Sequence, residues 1–316
     1  MVEKLLILIN KYYLDKHDDR LGSSHYNLGN FYYGLSGYRN ALFHYNKARK
    51  ADPSYNKRNY FWREIGTLLF NSGRKKLASN AYKKSLELKE ELDIRALYAD
   101  TLLHIGEYSE GIKEFEKFCK SKKKDIDLIW CLKLMALQKL IHQYNIKNGE
   151  RKITYSEAIC CNHDSLPKDK NLKDKLIKAI HLDPLNHSAW FTLGLIYHQE
   201  QKIEDSFWSF LWSAMCDNGC LNAWVNAFVM TFGMPKTKEV QFLTFSIFTA
   251  AYEKKHDNFI SCLFKNIDDN LFIKNKKHAE LLKTFVLDAA NKLKTKKNFD
   301  LRLIDKENVI KIIKFS

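Results

Sequence analysis

Hydrophobic residues recur along this chain every three or four positions, which is the spacing of one face of an α-helix. The first segment already shows this spacing, since Val2, Leu5, Leu6, Ile9 and Tyr12 follow it. Similar segments succeed one another with few helix-breaking residues, because the 316 residues include only 12 Gly and 4 Pro. The pattern predicts an all-α protein built from consecutive amphipathic helices.

The helical segments also repeat. The clearest unit spans residues 22–55 and carries, in order, Tyr26, Leu28, Gly29, Tyr33, Ala41, Tyr45, Ala48 and Pro53. Residues of similar type recur in much the same order in later units that begin near Asn59, near Leu92 and around Trp190. It resembles the tetratricopeptide repeat (TPR), a helix pair of about 34 residues. The resemblance implies a right-handed α-solenoid of antiparallel TPR helix pairs with helical N- and C-terminal caps.

The repeat pattern predicts three regions. Residues 1–21 form an N-terminal capping helix, residues 22–255 form an array of about six repeats, and residues 256–316 form C-terminal capping helices and a tail. Gly66 follows Gly29 by 37 residues, which indicates about three inserted residues near Asn56.

The fourth repeat is interrupted. We expect its two helices at residues 126–141 and 172–182, with a polar insert at residues 147–170 between them. Insertions in repeat arrays usually form loops on one face and can carry function. The sixth repeat is degenerate, and Lys238 to Lys255 should form its second helix.

The chain is strongly basic, with 52 Lys and Arg against 37 Asp and Glu and a net charge of +15. This excess favours an anionic partner, either an acidic protein or a nucleic acid. However, 43 of the basic residues are Lys and only 9 are Arg, whereas Arg is preferred for bidentate phosphate contacts. A basic helical-repeat RNA-binding protein is therefore the alternative to a protein-binding one.

The seven cysteines predict a reducing, intracellular environment, because their number is odd and most lie in apolar helical stretches. The N-terminal apolar run is too short for a secretory signal, and no segment reaches the length of a membrane span. We expect a cytoplasmic protein with no membrane partner, and the nucleus is also compatible with the sequence.

Catalytic signatures do not stand out. The chain has no phosphate-binding Gly-rich loop, no His-Glu-x-x-His pair and no Gly-x-Ser-x-Gly elbow. Cys160, Cys161 and His163 offer only three local ligands, whereas a structural zinc site needs four. The sequence therefore predicts a protein that is not an enzyme and that uses no cofactor or metal.

In TPR proteins the first helix of each repeat lines a concave groove. The resemblance places ten residues on that surface here: Tyr26, Asn30, Tyr33, Arg63, Thr67, Phe70, Asp100, His104, Phe191 and His198. This mixed set suits an extended peptide or a helix. The TPR type that clamps acidic C-terminal tails needs Lys, Asn and Arg at set places. Asn30 matches one of these clamp positions. The remaining positions are occupied here by Tyr26, Glu64, Asp93 and Leu97, so the clamp is not supported.

An aromatic centre follows Trp190. Core packing explains some of its rings, but helical spacing spreads Phe207, Trp208 and Trp212 around one helix. We expect at least one of the three to reach the surface as an interface for a partner or for self-association. Taken together, the sequence predicts a non-enzymatic scaffold or adaptor that binds a peptide or protein partner through the groove.

Overall fold

The computed structural model describes residues 2–16, 18–120, 128–161, 171–217 and 220–268, together with short helical stretches between residues 279 and 291. These residues form α-helices and two short 3₁₀ helices, with no β-strand among them. The predicted all-α architecture of helix pairs is confirmed. None of the helices in these ranges combines the length and apolar character needed to span a bilayer.

The chain divides into two compact units, the first comprising residues 1–123 and 148–150 and the second comprising residues 124–147 and 151–316. The predicted boundaries at residues 21 and 255 are not tested by this division and stay predictions.

The first unit contains one leading helix and three helix pairs. Its seven helices are α1 (Val2–Asp15), α2 (Leu21–Gly34), α3 (Tyr38–Ala51), α4 (Asn59–Asn71), α5 (Lys75–Leu88), α6 (Leu92–His104) and α7 (Tyr108–Cys119). As expected, α1 packs on the first pair, and its Asn10 Nδ2 donates to Ser24 Oγ at 3.2 Å. No α1 residue is fully buried.

Tight turns join the helices of each pair, and each turn contains one residue with a positive φ. Gly73 and Gly106 have φ of 79° and 86° in the second and third pairs, and Ser36 has φ of 57° in the first. Only glycine enters this left-handed region without a steric cost, so the serine carries strain that the glycines avoid.

A 3₁₀ helix, Pro53–Lys57, lies between α3 and α4 and contains the inserted residues predicted near Asn56. Its Tyr55 is only 3% exposed. The ring lies 5.4 Å from that of Tyr26 and 5.1 Å from that of Phe61, measured between centroids. The insertion is therefore part of the core of the first unit.

The second unit begins with α8 (Leu128–Tyr144), and the last of its fully described helices is a long one. Between them lie α9 (Ile153–Cys161), α10 (Leu172–Leu182), α11 (His187–Gln199), α12 (Ile203–Cys216), α13 (Leu221–Met230), the 3₁₀ turn Thr231–Gly233 and α14 (Lys238–Asp268). Helix α14 extends well beyond Lys255, so the expected boundary of the last repeat falls inside it.

The insert at residues 147–170 is not simply a loop, because α9 occupies residues 153–161. Helix α9 packs on α10, and Ser156 Oγ donates to the carbonyl oxygen of Ala179 at 2.8 Å. Helix α8 packs mainly against α12 and α14. The expected pairing of residues 126–141 with 172–182 is therefore wrong, because α9 takes the place beside α10. Residues 162–170, including His163, lie outside the described residues.

Candidate functional site

In the first two pairs of the first unit, the first helix packs closely on a tyrosine of the second helix. A Cβ on Gly29 of α2 would lie 2.5 Å from the ring of Tyr45 on α3, and a Cβ on Gly66 of α4 would lie 2.7 Å from the ring of Tyr82 on α5. Real side chains do not approach so closely, so glycine is required for this packing. Gly194 of α11 meets Phe210 in the same way at 2.7 Å.

The same two tyrosines hold polar residues on the first helices. Tyr45 Oη donates to Asn30 Oδ1 at 2.6 Å, and Tyr82 Oη lies 3.1 Å from Thr67 Oγ1. Burial raises the pKa of Tyr82 to about 12, so its hydroxyl keeps its proton at neutral pH. Asn30 and Thr67 follow the two packing glycines directly, and core side chains therefore orient both of them.

Tyr26 and Glu64 connect the first two pairs. Tyr26 Oη donates to Glu64 Oε2 at 2.6 Å. The Tyr26 ring also lies against those of Tyr45 and Tyr60, with centroids 5.9 and 6.0 Å apart. Burial raises the pKa of both the Tyr26 hydroxyl and the Glu64 carboxyl above their ordinary values. This half-buried contact fixes the relative position of α2 and α4.

Arg63 lies between two carboxylates on the exposed side of α4. Its guanidinium nitrogens are 4.0 Å from Glu64 Oε1 and 3.8 Å from Glu91 Oε2, and 43% of the side chain is exposed. Glu91 also accepts from Asn59 Nδ2 at 2.8 Å. Lys89 bonds to Glu91 and lowers the pKa of its carboxyl. At these distances the guanidinium keeps donors available for a carbonyl or carboxylate group of a ligand.

Aromatic and amide groups lie near the C-terminal ends of the same helices. Asn71 Nδ2 donates to Tyr33 Oη at 3.0 Å, which links α4 to α2. The rings of Phe70 and His104 meet edge to face, with centroids 5.1 Å apart. His104 Nε2 lies 3.8 Å from Asp100 Oδ2 on the same helix. Eight predicted groove residues thus lie on α2, α4 and α6.

The other two predicted groove residues belong to the second unit. Phe191 and His198 lie on α11, where both are half-buried. The Phe191 ring packs edge to face on Phe210 at 5.4 Å between centroids. Sequence reasoning missed Asn71 and Glu91 as neighbours of the groove residues, and it considered Glu64 only at a clamp position and not as the partner of Tyr26. The available signal was that Glu64 follows Tyr26 by 38 residues, close to the spacing of the two packing glycines.

The prediction that an aromatic residue of α12 reaches the surface is wrong. Phe207, Trp208 and Trp212 are 0%, 6% and 1% exposed. Every residue from Ser206 to Met215 is buried, because α8, α11 and α13 all pack against α12. Trp212 Nε1 donates to the carbonyl oxygen of Pro184 at 2.8 Å, and Trp190 Nε1 donates to the same oxygen at 2.8 Å. The three aromatic side chains of α12 are part of the hydrophobic core, so they offer no interface for self-association.

Part of the first unit matches a known family. Residues 36–118 match the family model described as "Anaphase-promoting complex, cyclosome, subunit 3". The matched stretch runs from the turn before α3 almost to the end of α7. No curated protein matches the chain.

Solved structures similar to the chain include PilW, described as a widely conserved type IV pilus biogenesis factor, with 13% identity over 81% of this chain and 97% of PilW and a TM-score of 0.37. The TPR2AB domain of yeast Sti1, in a structure titled as a complex with pHSP90, is 14% identical in sequence. The match covers 80% of this chain and 97% of that one, with a TM-score of 0.32. YrrB, described as a TPR protein with an unusual peptide-binding site, is 16% identical in sequence. The match covers 70% of this chain and 97% of YrrB, with a TM-score of 0.29.

Proposed function

We propose that this chain, whose helix pairs resemble tetratricopeptide repeats, is a non-catalytic scaffold that holds a peptide or protein partner in the groove lined by α2, α4 and α6. Repeats of this class serve in general as surfaces for protein–protein contact. The groove assignment goes further and is supported by the arrangement of side chains in the first unit.

One observation carries the proposal. Tyr45 and Tyr82 support Asn30 and Thr67 from within the core, at 2.6 and 3.1 Å. Polar side chains that are already oriented lose less conformational entropy when they bind a ligand.

The groove offers polar contacts for a backbone and aromatic contacts for side chains. Asn30 and Arg63 can bond to carbonyl or carboxylate groups of an extended segment. Tyr33 and Phe70 provide apolar surface beside them. An acidic partner receives no support here, because Glu64 and Glu91 lie within 4.0 Å of the Arg63 guanidinium and Asp100 adds a further carboxylate beside His104 on α6. A segment of neutral or mixed charge fits this surface better.

The RNA-binding alternative is not favoured by the groove. Single-strand binders combine a positively charged groove with exposed aromatic platforms, whereas the helices α2 and α4 contain one basic residue, Arg63, and one acidic residue, Glu64. A reducing, intracellular location stays a proposal that rests on the odd number of cysteines.

The experiment is affinity purification of the tagged full-length chain from its native source, with partners identified by mass spectrometry. Arg63→Glu reverses one groove charge, and the milder Arg63→Ala removes it. The matched control is Lys113→Glu on α7, whose side chain is 67% exposed. A groove partner should decrease at least tenfold with Arg63→Glu, less with Arg63→Ala, and not with the control. Recovery of the same partners by all variants would show that the groove is not the binding surface.

A further inference from the structure

Charge is divided unevenly between the two sets of helices in the first unit. Helix α3 contains four basic residues and no acidic one, and α5 contains four basic residues and a single acidic one, Glu87. Helix α2 contains neither Lys nor Arg, and α4 contains one basic and one acidic residue. Most of the positive charge of these two pairs is therefore borne by their second helices.

Four of these cations take equivalent positions. Arg39 and Lys47 are exposed on α3, and Lys76 and Lys84 follow them by 37 residues each and are exposed on α5. Gly66 follows Gly29 by the same number, so the two helices present these residues in the same register. The opposite sides of both helices, including Ala48 and Ala78, enter one hydrophobic cluster. We call the surface formed by Arg39, Lys47, Lys76 and Lys84 the basic face.

Little compensates the charge of the basic face. Among the described residues only one of its four cations, Lys84, has a carboxylate within 4.0 Å, that of Glu87 at 3.5 Å, and both of those side chains are about half exposed. Exposed pairs of this kind contribute little. The basic face therefore presents a concentrated positive potential to solvent.

Two large apolar side chains are exposed among these cations. Phe43 lies one helical turn from both Arg39 and Lys47 and is 55% exposed. Lys47 Nζ lies 5.6 Å from the centre of its ring. Leu77 follows Lys76 directly and is 53% exposed. Single exposed apolar residues are common on proteins, but here two of them lie within one uncompensated basic surface.

We propose that the basic face docks on an anionic phospholipid bilayer, with Phe43 and Leu77 entering the headgroup region. Clustered lysines are attracted to anionic lipids, and apolar side chains beside them are buried at the boundary with the acyl chains. A nucleic acid would use the cations but would leave Leu77 in water. Three of the four cations are Lys, which lacks the planar fork that recognises individual phosphates. The occupant is therefore a lipid surface.

This docking is independent of the groove. The residues of the basic face lie on α3 and α5, whereas the groove residues of the first unit lie on α2, α4 and α6. One protein could thus hold a partner in the groove while its second helices rest on a membrane. Neither proposal needs the other to be correct.

The test is co-sedimentation of the full-length chain with vesicles. Vesicles of phosphatidylcholine and phosphatidylserine in a roughly two-to-one ratio should bind the protein, and vesicles of phosphatidylcholine alone should not. Added salt should release it, since the attraction is screened. Lys47→Glu combined with Lys84→Glu should weaken binding at least about tenfold. Phe43→Ser combined with Leu77→Ser should weaken it several-fold with no change in charge.

The matched control is Lys113→Glu combined with Lys120→Glu, which makes the same change in net charge on and beside α7. Their side chains are 67% and 79% exposed, so folding should persist, and circular dichroism checks this for each variant. An equal loss in the control would overturn the proposal, because net charge alone would then explain binding. Binding to single-stranded RNA, with vesicle binding unchanged by Phe43→Ser and Leu77→Ser, would assign the basic face to nucleic acid instead.

Discussion

Arg151 and Asp183 form a two-pronged ion pair inside the second unit. Arg151 Nε lies 2.6 Å from Asp183 Oδ1, and Nη2 lies 3.0 Å from Oδ2. The two side chains are only 12% and 3% exposed. Asp183 Oδ1 also accepts the backbone N–H of Leu185 at 3.0 Å. The pair therefore joins the segment before α9 to the turn between α10 and α11.

Removing one partner of this pair should destabilise the second unit. Arg151→Ala leaves a buried carboxylate without its guanidinium, which costs about 3 kcal/mol of unfolding free energy. Urea denaturation followed by tryptophan fluorescence measures it. The control is Lys139→Ala, because Lys139 pairs with Glu204 at 2.7 Å but both side chains are exposed. That variant should lose less than about 1 kcal/mol, and similar losses in both would contradict the assignment.

Replacing Gly29, the packing glycine of α2, with alanine should destabilise the first unit. In Gly29→Ala the new Cβ would press on the Tyr45 ring, and the shifts needed to relieve this should cost about 1–3 kcal/mol of unfolding free energy. Gly34 is a control on the same helix, because a Cβ there would meet no atom within 4 Å. Gly34→Ala should leave the urea midpoint unchanged or slightly higher. A Gly29→Ala protein as stable as the wild type would refute the close packing.

Replacing the turn residue Ser36 with glycine should stabilise the folded protein. Its φ of 57° is unfavourable for a residue with a Cβ, whereas Gly73 has φ of 79° at the equivalent place. Ser36→Gly should raise the unfolding free energy by about 1 kcal/mol, and Gly73→Ala should lower it by about 1 kcal/mol. Thermal unfolding of the two variants should give shifts of opposite sign.

The stability of the first unit should depend on the protonation of His25. Burial, followed by His44 and Lys47, lowers the pKa of His25 to about 4 from 6.5. Its ring nitrogen lies 3.1 Å from that of His44 and 3.1 Å from Asn10 Nδ2. The folded protein keeps His25 neutral while the unfolded chain binds a proton below pH 6.5. Stability should therefore fall as the pH is lowered from 6.5 towards 4.

Urea midpoints measured at several values between pH 4 and pH 7.5 test this dependence. His25→Gln removes the titrating group and should give a flatter profile over that range. His44 contributes in the same direction, because burial lowers its pKa as well. An unchanged slope in the His25→Gln protein would assign the pH dependence to other groups.

The sequence predicted the helix pairs because their packing residues are distinctive. Gly29 and Tyr45 are 16 residues apart, as are Gly66 and Tyr82 and also Gly194 and Phe210. A pattern of small and aromatic residues at that distance reflects direct contact between the two helices. The same register assigns the predicted groove residues to α2 and α4, and their role in binding a partner stays a prediction.

The errors arose where tertiary contacts override the local pattern. The sequence pattern favours a loop where α9 lies, because the stability of this short helix depends on contacts such as Ser156 with Ala179 that no local rule reveals. The burial of Trp208 depends on three neighbouring helices, whereas helical spacing describes one helix at a time. Ser206, Ser209 and Ser213, all fully buried, were the available sign that α12 is enclosed.

The 3₁₀ helix between α3 and α4 limits the interchangeability of the repeats. Tyr55 comes from the connection between two repeats, yet its ring fills space between Tyr26 of one repeat and Phe61 of the next. A standard repeat grafted at either position would bring a shorter connector and leave that space empty. The first two repeats therefore have to be transplanted, deleted or redesigned together with their connector, as one inseparable module.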